Sequence, residues 1–244
     1  MEVHAHTHTA RKKWTHFLWE FLMLFLAVTL GFFVENQREH LVEHKRELQN
    51  IQSFVEDMKN DTSEVNAIAP LRKERETSLD SLIYLLNTKN PKQYSSSIYY
   101  HSRLLVRTYQ FHSTQRTIQQ LKSSGNMRLI RNKVAADIIN KYDYWSEMLQ
   151  KDDKDREEEF MTIRPYLLNI QDALVLQSMV KGFRITRPVG NPNLKSVETD
   201  FLKELSTALH YLRSSETGSL ALLQDFYSII SGYIVQVEKE YHIK

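Results

Sequence analysis

Cysteine is absent from the 244-residue chain. That excludes disulfide frameworks, zinc ribbons, iron–sulfur clusters and thiol nucleophiles together. It leaves the compartment open, because a helical core needs no staples in either redox environment. Glycine and proline are scarce, with six and five residues. Sandwiches, barrels and Gly-rich phosphate loops need more of both, so the shortage points to long helices. An excess of one charge is also missing: 32 Lys+Arg against 30 Asp+Glu leave +2. Such a balance excludes a protein that tracks nucleic-acid phosphates along its length.

What the chain does have is one strongly apolar stretch, set in a sequence of mean hydropathy −0.47. From Phe17 to Val34 it reads FLWEFLMLFLAVTLGFFV, with Glu20 as its one ionisable residue. Eighteen helical residues rise about 27 Å, close to the hydrocarbon thickness of a bilayer. Trp14 and Trp19 suit an interfacial aromatic belt, and Arg11, Lys12 and Lys13 precede the stretch. A buried core helix would carry a polar stripe. A cleaved signal peptide would need small residues at the far end, where Phe32, Phe33 and Val34 stand instead. The reading is a retained signal anchor over 17–34 behind a short cytoplasmic tail, residues 1–16. The basic cluster places the N-terminus inside and residues 35–244 in a periplasm-like space beyond an inner membrane. Glu20 sits about one turn from the basic end. It can reach the headgroups, meet His16 at i−4, or bind a partner within the membrane.

Beyond the anchor, Leu41, His44, Leu48, Ile51, Val55, Met58, Thr62, Val65 and Ala69 recur at steps of three and four. This is a heptad seam for packing or self-association. The anchor helix is expected to run on to Pro70, which marks a joint. A new helix is then expected from the capping-box pattern at Thr77–Asp80. Further helices are expected over about 97–122, 127–160, 165–180, 201–212 and 220–241, with Gly125 as a left-handed stop and a loop around Pro188–Pro192. No period-2 run indicates a strand. The fold class is all-α: a transmembrane helix continuing into an elongated multi-helix bundle.

The block HTHTARKKWTHFLWEFLMLFLAVTLGFFVENQREH (His6 to His40), the inner block TIQQLKSSGNMRLIRN (Thr117 to Asn132) and the closing EKEYHIK (Glu238 to Lys244) resemble a family of single-span membrane proteins from Bacteroidota. That family carries no assigned activity. The resemblance implies membrane anchoring and a helical domain, and it supplies no catalytic residues.

Candidate chemistry is sparse. His4, His6 and His8 alternate in the tail, where three imidazoles could gather a divalent metal or simply sit in a polar segment. His40 and His44 stand at i and i+4, the spacing of an HExxH zinc helix. Here the sequence reads His-Leu-Val-Glu-His, so the catalytic glutamate position is a leucine, and His44 also falls in the seam. Tyr99, Tyr100, Tyr109, Phe111, Tyr142, Tyr144, Trp145 and Tyr166 could line a pocket or fill a core. Arg128, Arg131 and Lys133 near a helix start could attract an anion or pair with carboxylates. No triad, phosphate loop or cofactor fingerprint shows in the spacing, and no cofactor is expected. Expected partners are the lipid bilayer and either a protein or a second copy of the chain, with no nucleic acid. The leading function is a non-catalytic envelope scaffold. The second is a sensory or small-ligand bundle working through a separate membrane partner.

Overall fold

The computed structural model describes residues 14–243. The chain is all-α, and its described residues divide into two compact units, 14–49 and 50–243. Helix α1 covers Trp14–Leu86 and so contributes to both. In the first unit its apolar side chains are bare: Trp19, Phe21, Leu24, Leu30, Phe32 and Phe33 are all at least 60% exposed. An 18-residue window with a mean hydropathy of 2.2 has none of its residues buried.

The second unit is built on three long helices: the later part of α1, α4 (Lys133–Ile170) and α6 (Thr199–Tyr241). Two apolar cores lie along them. The first joins Ile51, Phe54, Val55 and Met58 of α1 to Ile138, Tyr142 and Leu149 of α4 and to Leu223, Phe226 and Ile230 of α6. The second joins Leu79, Leu82 and Leu86 to Phe160, Ile163 and Leu167 and to Leu202, Leu205 and Leu209. Across the two cores residue numbers rise together in α1 and α4 and fall in α6, so α6 runs antiparallel to the others. Shorter helices α2 (Ser95–Leu104), α3 (Arg116–Ser123) and α5 (Ala173–Ser178) close the unit, with a two-stranded hairpin, β1 (Val180–Lys181) and β2 (Arg184–Ile185).

Several expected boundaries are corrected. Neither Pro70 nor Pro165 ends a helix; both are exposed inside α1 and α4, on faces where the lost N–H donor leaves no buried gap. Thr77 is not a cap but a mid-helix residue whose hydroxyl bonds back to the Lys73 carbonyl at 2.9 Å. The expected helix over 97–122 is two helices, α2 and α3, separated by an irregular segment. The two expected C-terminal helices are one, because Gly218 lies exposed within an otherwise helix-forming run. The hairpin over 180–185 was not foreseen; two-residue strands are too short to show a period. Gly125 does stop α3, with φ at 67°. Asn132 caps α4, its side chain accepting from the Ala135 N–H at 3.1 Å.

Candidate functional site

Between the two apolar cores the three long helices exchange leucines for charge. Arg72 and Arg75 come from α1, Asp152, Asp153 and Arg156 from α4, and Glu216 and Ser219 from α6. Arg72 is 1% exposed, and Asp153, Arg156 and Glu216 are also buried. The Arg72 guanidinium donates to Asp153 Oδ1 at 2.7 Å and to Ser219 Oγ at 2.9 Å. Arg156 donates to Asp153, to Glu216 Oε1 at 3.0 Å and to Asp152 Oδ2 at 3.3 Å. Arg75 pairs with Glu216 and lies 5.6 Å from the Phe160 ring centroid. Three guanidinium groups thus meet three carboxylates. Removing one member leaves a buried charge uncompensated, whereas the complete layer is neutral.

The layer also holds the segment that interrupts α2 and α3. Along α1 the residues Asp57, Asp61, Glu64, Arg72 and Arg75 share one face. Residues 105–117 run past that face in the opposite direction. Asp57 Oδ2 accepts from the Thr117 N–H at 2.9 Å, and Asp61 Oδ1 from the Thr114 N–H at 2.8 Å. Glu64 Oε1 accepts from the His112 N–H at 3.0 Å, and Asp153 Oδ2 from the Phe111 N–H at 2.6 Å. Farther along, Arg72 Nε donates to the Tyr109 carbonyl at 2.8 Å, and Arg75 to the Leu105 carbonyl at 3.2 Å. Carboxylates take the amides and arginines take the carbonyls. Four N–H groups and two carbonyls along the segment are thus satisfied by side chains instead of by a helix or a sheet ladder. Phe111, 2% exposed, is the plug that this clamp drives into the first core, where its ring meets Phe226 edge-on at 5.1 Å.

Burial sets the electrostatics. It raises the Asp61 carboxyl above its ordinary range, against the hydrogen bonds from Tyr142 and Thr114 that favour the charged form. Burial, then the Asp61 charge, raises the Tyr142 hydroxyl as well, so the phenol keeps its proton and donates it to Asp61. Arg72 and Arg75 are lowered by burial; for Arg75 the neighbouring Arg156 and Arg72 lower it further. In all four groups burial is the largest cause of the shift.

The residues singled out in the sequence fall elsewhere. Ile51, Val55 and Met58 are buried in the first core, so this part of the seam packs within the chain's own bundle. Leu48 is half-buried and Leu41 is 72% exposed. His44 Nδ1 lies 3.6 Å from Glu47. Among the described residues no three His, Asp or Glu side chains assemble into a metal-holding group, His40 and His44 included. His4, His6 and His8 lie outside the described residues. Glu20 Oε1 is 3.6 Å from His16 Nε2, with both side chains half exposed. The aromatics divide between the cores: Phe111, Tyr142 and Trp145 join the first, Tyr99, Tyr100 and Tyr166 the second, and Tyr144 is exposed. Arg128, Arg131 and Lys133 are exposed at the entry to α4.

One cleft adjoins the clamped segment. It has a volume of about 350 Å³ and is lined by Gln110, His112, Ser113, Gln150, Lys154 and Glu157, among others. The ionic layer was missed in the sequence because Asp152 to Glu159 reads as a mixed charge run, normally a solvated face. The available signal was Arg72 and Arg75 standing at core spacing. Both long helices α1 and α6 are long and apolar enough to cross a membrane by length and composition, although α6 has a buried face in both cores. Comparison with protein-family models, curated proteins and solved structures returns no match.

Proposed function

We propose that the chain is a membrane-anchored helical interaction protein of the cell envelope, without catalytic activity of its own. Residues 17–34 span the inner membrane with the N-terminus inside, and the bundle stands in the periplasm-like space. The observation that carries this reading is the apolar window that the protein leaves wholly uncovered. Leaving that much apolar side chain in water is costly at about 25 cal/mol per Å², and a bilayer removes the cost. The buried layer supports the scaffold half of the reading, since its charges are spent on fixing one backbone segment. The resemblance of the N-terminal block to single-span membrane proteins agrees with the anchor.

Alkaline carbonate washing of membranes tests the anchor. The full chain should stay with the membrane, and Leu24→Lys with Val28→Lys should release it, because each lysine at mid-span costs about 3 kcal/mol. Extraction of the unmodified chain would refute the anchor. The second reading, a ligand-sensing bundle, draws on the cleft beside His112 and Gln150. A ligand at 100 times its Kd would stabilise the bundle by about 2.7 kcal/mol. A thermal-shift panel of metabolites and metals on the full chain should show no such change if the scaffold reading holds.

A further inference from the structure

The β1–β2 hairpin ends in a side chain with no cover. Phe183 is 98% exposed at the tip of a two-residue turn. Gly182 supplies the positive φ of 61° that such a turn requires. The tip is held in place: the Arg107 guanidinium donates to the Phe183 carbonyl, the Thr186 N–H donates to the Met179 carbonyl at 2.8 Å, and Met179 is fully buried in the second core. Val106, 42% exposed, adjoins Arg107. Lys181 and Arg184 pair across the hairpin and are both exposed. Neither has a carboxylate partner among the described residues. Between Phe160 and Val197 the chain carries five basic residues and one acidic residue, Asp172.

We infer that this hairpin tip is a docking point for an anionic lipid surface, with Phe183 entering the headgroup–acyl boundary and Lys181, Arg184 and Arg107 meeting the headgroups. A projecting aromatic with a basic collar is the pattern of an interfacial anchor. A side chain standing 98% exposed at a turn can enter a bilayer, which requires no complementary shape. Its rigid seating means that little ordering is lost on contact. The tip belongs to the second compact unit, and the inference stands independently of the N-terminal anchor.

The test uses the full chain in nanodiscs of phosphatidylcholine, mixed with sucrose-loaded vesicles and sedimented. Should the chain elute without discs, it enters the same assay alone, so failure of the anchor and failure of the tip are read separately. Vesicles containing phosphatidylglycerol should pull the chain down, and phosphatidylcholine vesicles should not. Lys181→Ser with Arg184→Ser should weaken the partitioning about thirty-fold. Phe183→Ser should weaken it about ten-fold. Both variants should keep the far-UV spectrum, since all three side chains are solvent-facing. Equal sedimentation with both lipids, no sedimentation with the anionic lipid, or unchanged binding by the variants would overturn the inference. So would binding of the tip to soluble polyglutamate in preference to vesicles, which would assign it to an acidic polypeptide.

Discussion

Replacing Arg72 by methionine probes the ionic layer at its most connected point. Arg72 is 1% exposed and donates to Asp153, Ser219 and the Tyr109 carbonyl. Methionine fills much of the stem volume but makes none of these bonds. The layer then holds three carboxylates against two guanidinium groups, and the Tyr109 carbonyl loses its charged donor. Breaking a buried pair by removing one partner costs about 3–5 kcal/mol, and the methionine's added apolar burial offsets a small part of that. The expected loss is therefore about 3–4 kcal/mol. Asp153→Asn should be costly alone, because Arg72 and Arg156 then share less negative charge. The double substitution restores neutrality, and its cost should fall below the sum of the singles by about 2 kcal/mol. Glu158→Gln, which removes an exposed i,i+4 pair with Lys154 at 3.7 Å, should cost about 0.5 kcal/mol or less. Urea unfolding of the full chain in mild detergent, followed by far-UV circular dichroism, measures all four. A loss below about 1 kcal/mol for Arg72→Met, with additive behaviour of the double variant, would refute the claim that the layer is buried and coupled.

Other expectations follow from single positions. Phe111→Ala empties the plug site between α1 and α6 and should cost about 3–5 kcal/mol in the same unfolding assay. Gly125→Ala meets no atom within 4 Å, so its effect should be the backbone strain alone, about 1–2 kcal/mol, read as a fall in Tm of a few degrees. His101 has its pKa held below the ordinary histidine value by burial and then by Arg187. The unfolded ring therefore takes up a proton near pH 6.5, before the folded ring does. Stability present above that pH is lost as the pH falls toward the folded pKa. His101→Gln should reduce the difference in unfolding free energy between about pH 7.5 and about pH 5. An unchanged slope would show that the ring is solvated.

The all-α class was legible because glycine and proline are few and apolar residues recur at helical spacing. Ile51, Val55 and Met58 were legible as a seam for the same reason, and Gly125 as a stop. The segment 105–117 was not. Leu105 and Tyr109 stand at i and i+4, a spacing a helix also allows. What holds it out of helix are Asp61, Glu64 and Asp153, more than 30 residues away in sequence, while Asp57 takes a free amide in the first turn of α3. Local propensity carries no trace of such distant acceptors. Pro70 and Pro165 misled for a related reason: a proline breaks a helix only where the lost donor or the displaced carbonyl matters, and three-helix packing fixes the flanking turns on both sides. Phe183 was invisible as a surface feature because a lone phenylalanine in sequence reads as core.

The central claim, a bilayer-embedded N-terminal helix carrying an exposed bundle, is tested most directly by cysteine accessibility, which the cysteine-free chain makes clean. Single cysteines replace Leu26, in the middle of the apolar window, and Ser124, exposed in the turn after α3. A membrane-impermeant maleimide is then added to unlysed cells with a permeabilised outer membrane. The account predicts labelling of Ser124→Cys in these cells, and labelling of Leu26→Cys only after denaturation in detergent. Labelling of Leu26→Cys in intact membranes would contradict the span, and labelling of Ser124→Cys only after lysis would put the bundle on the cytoplasmic side.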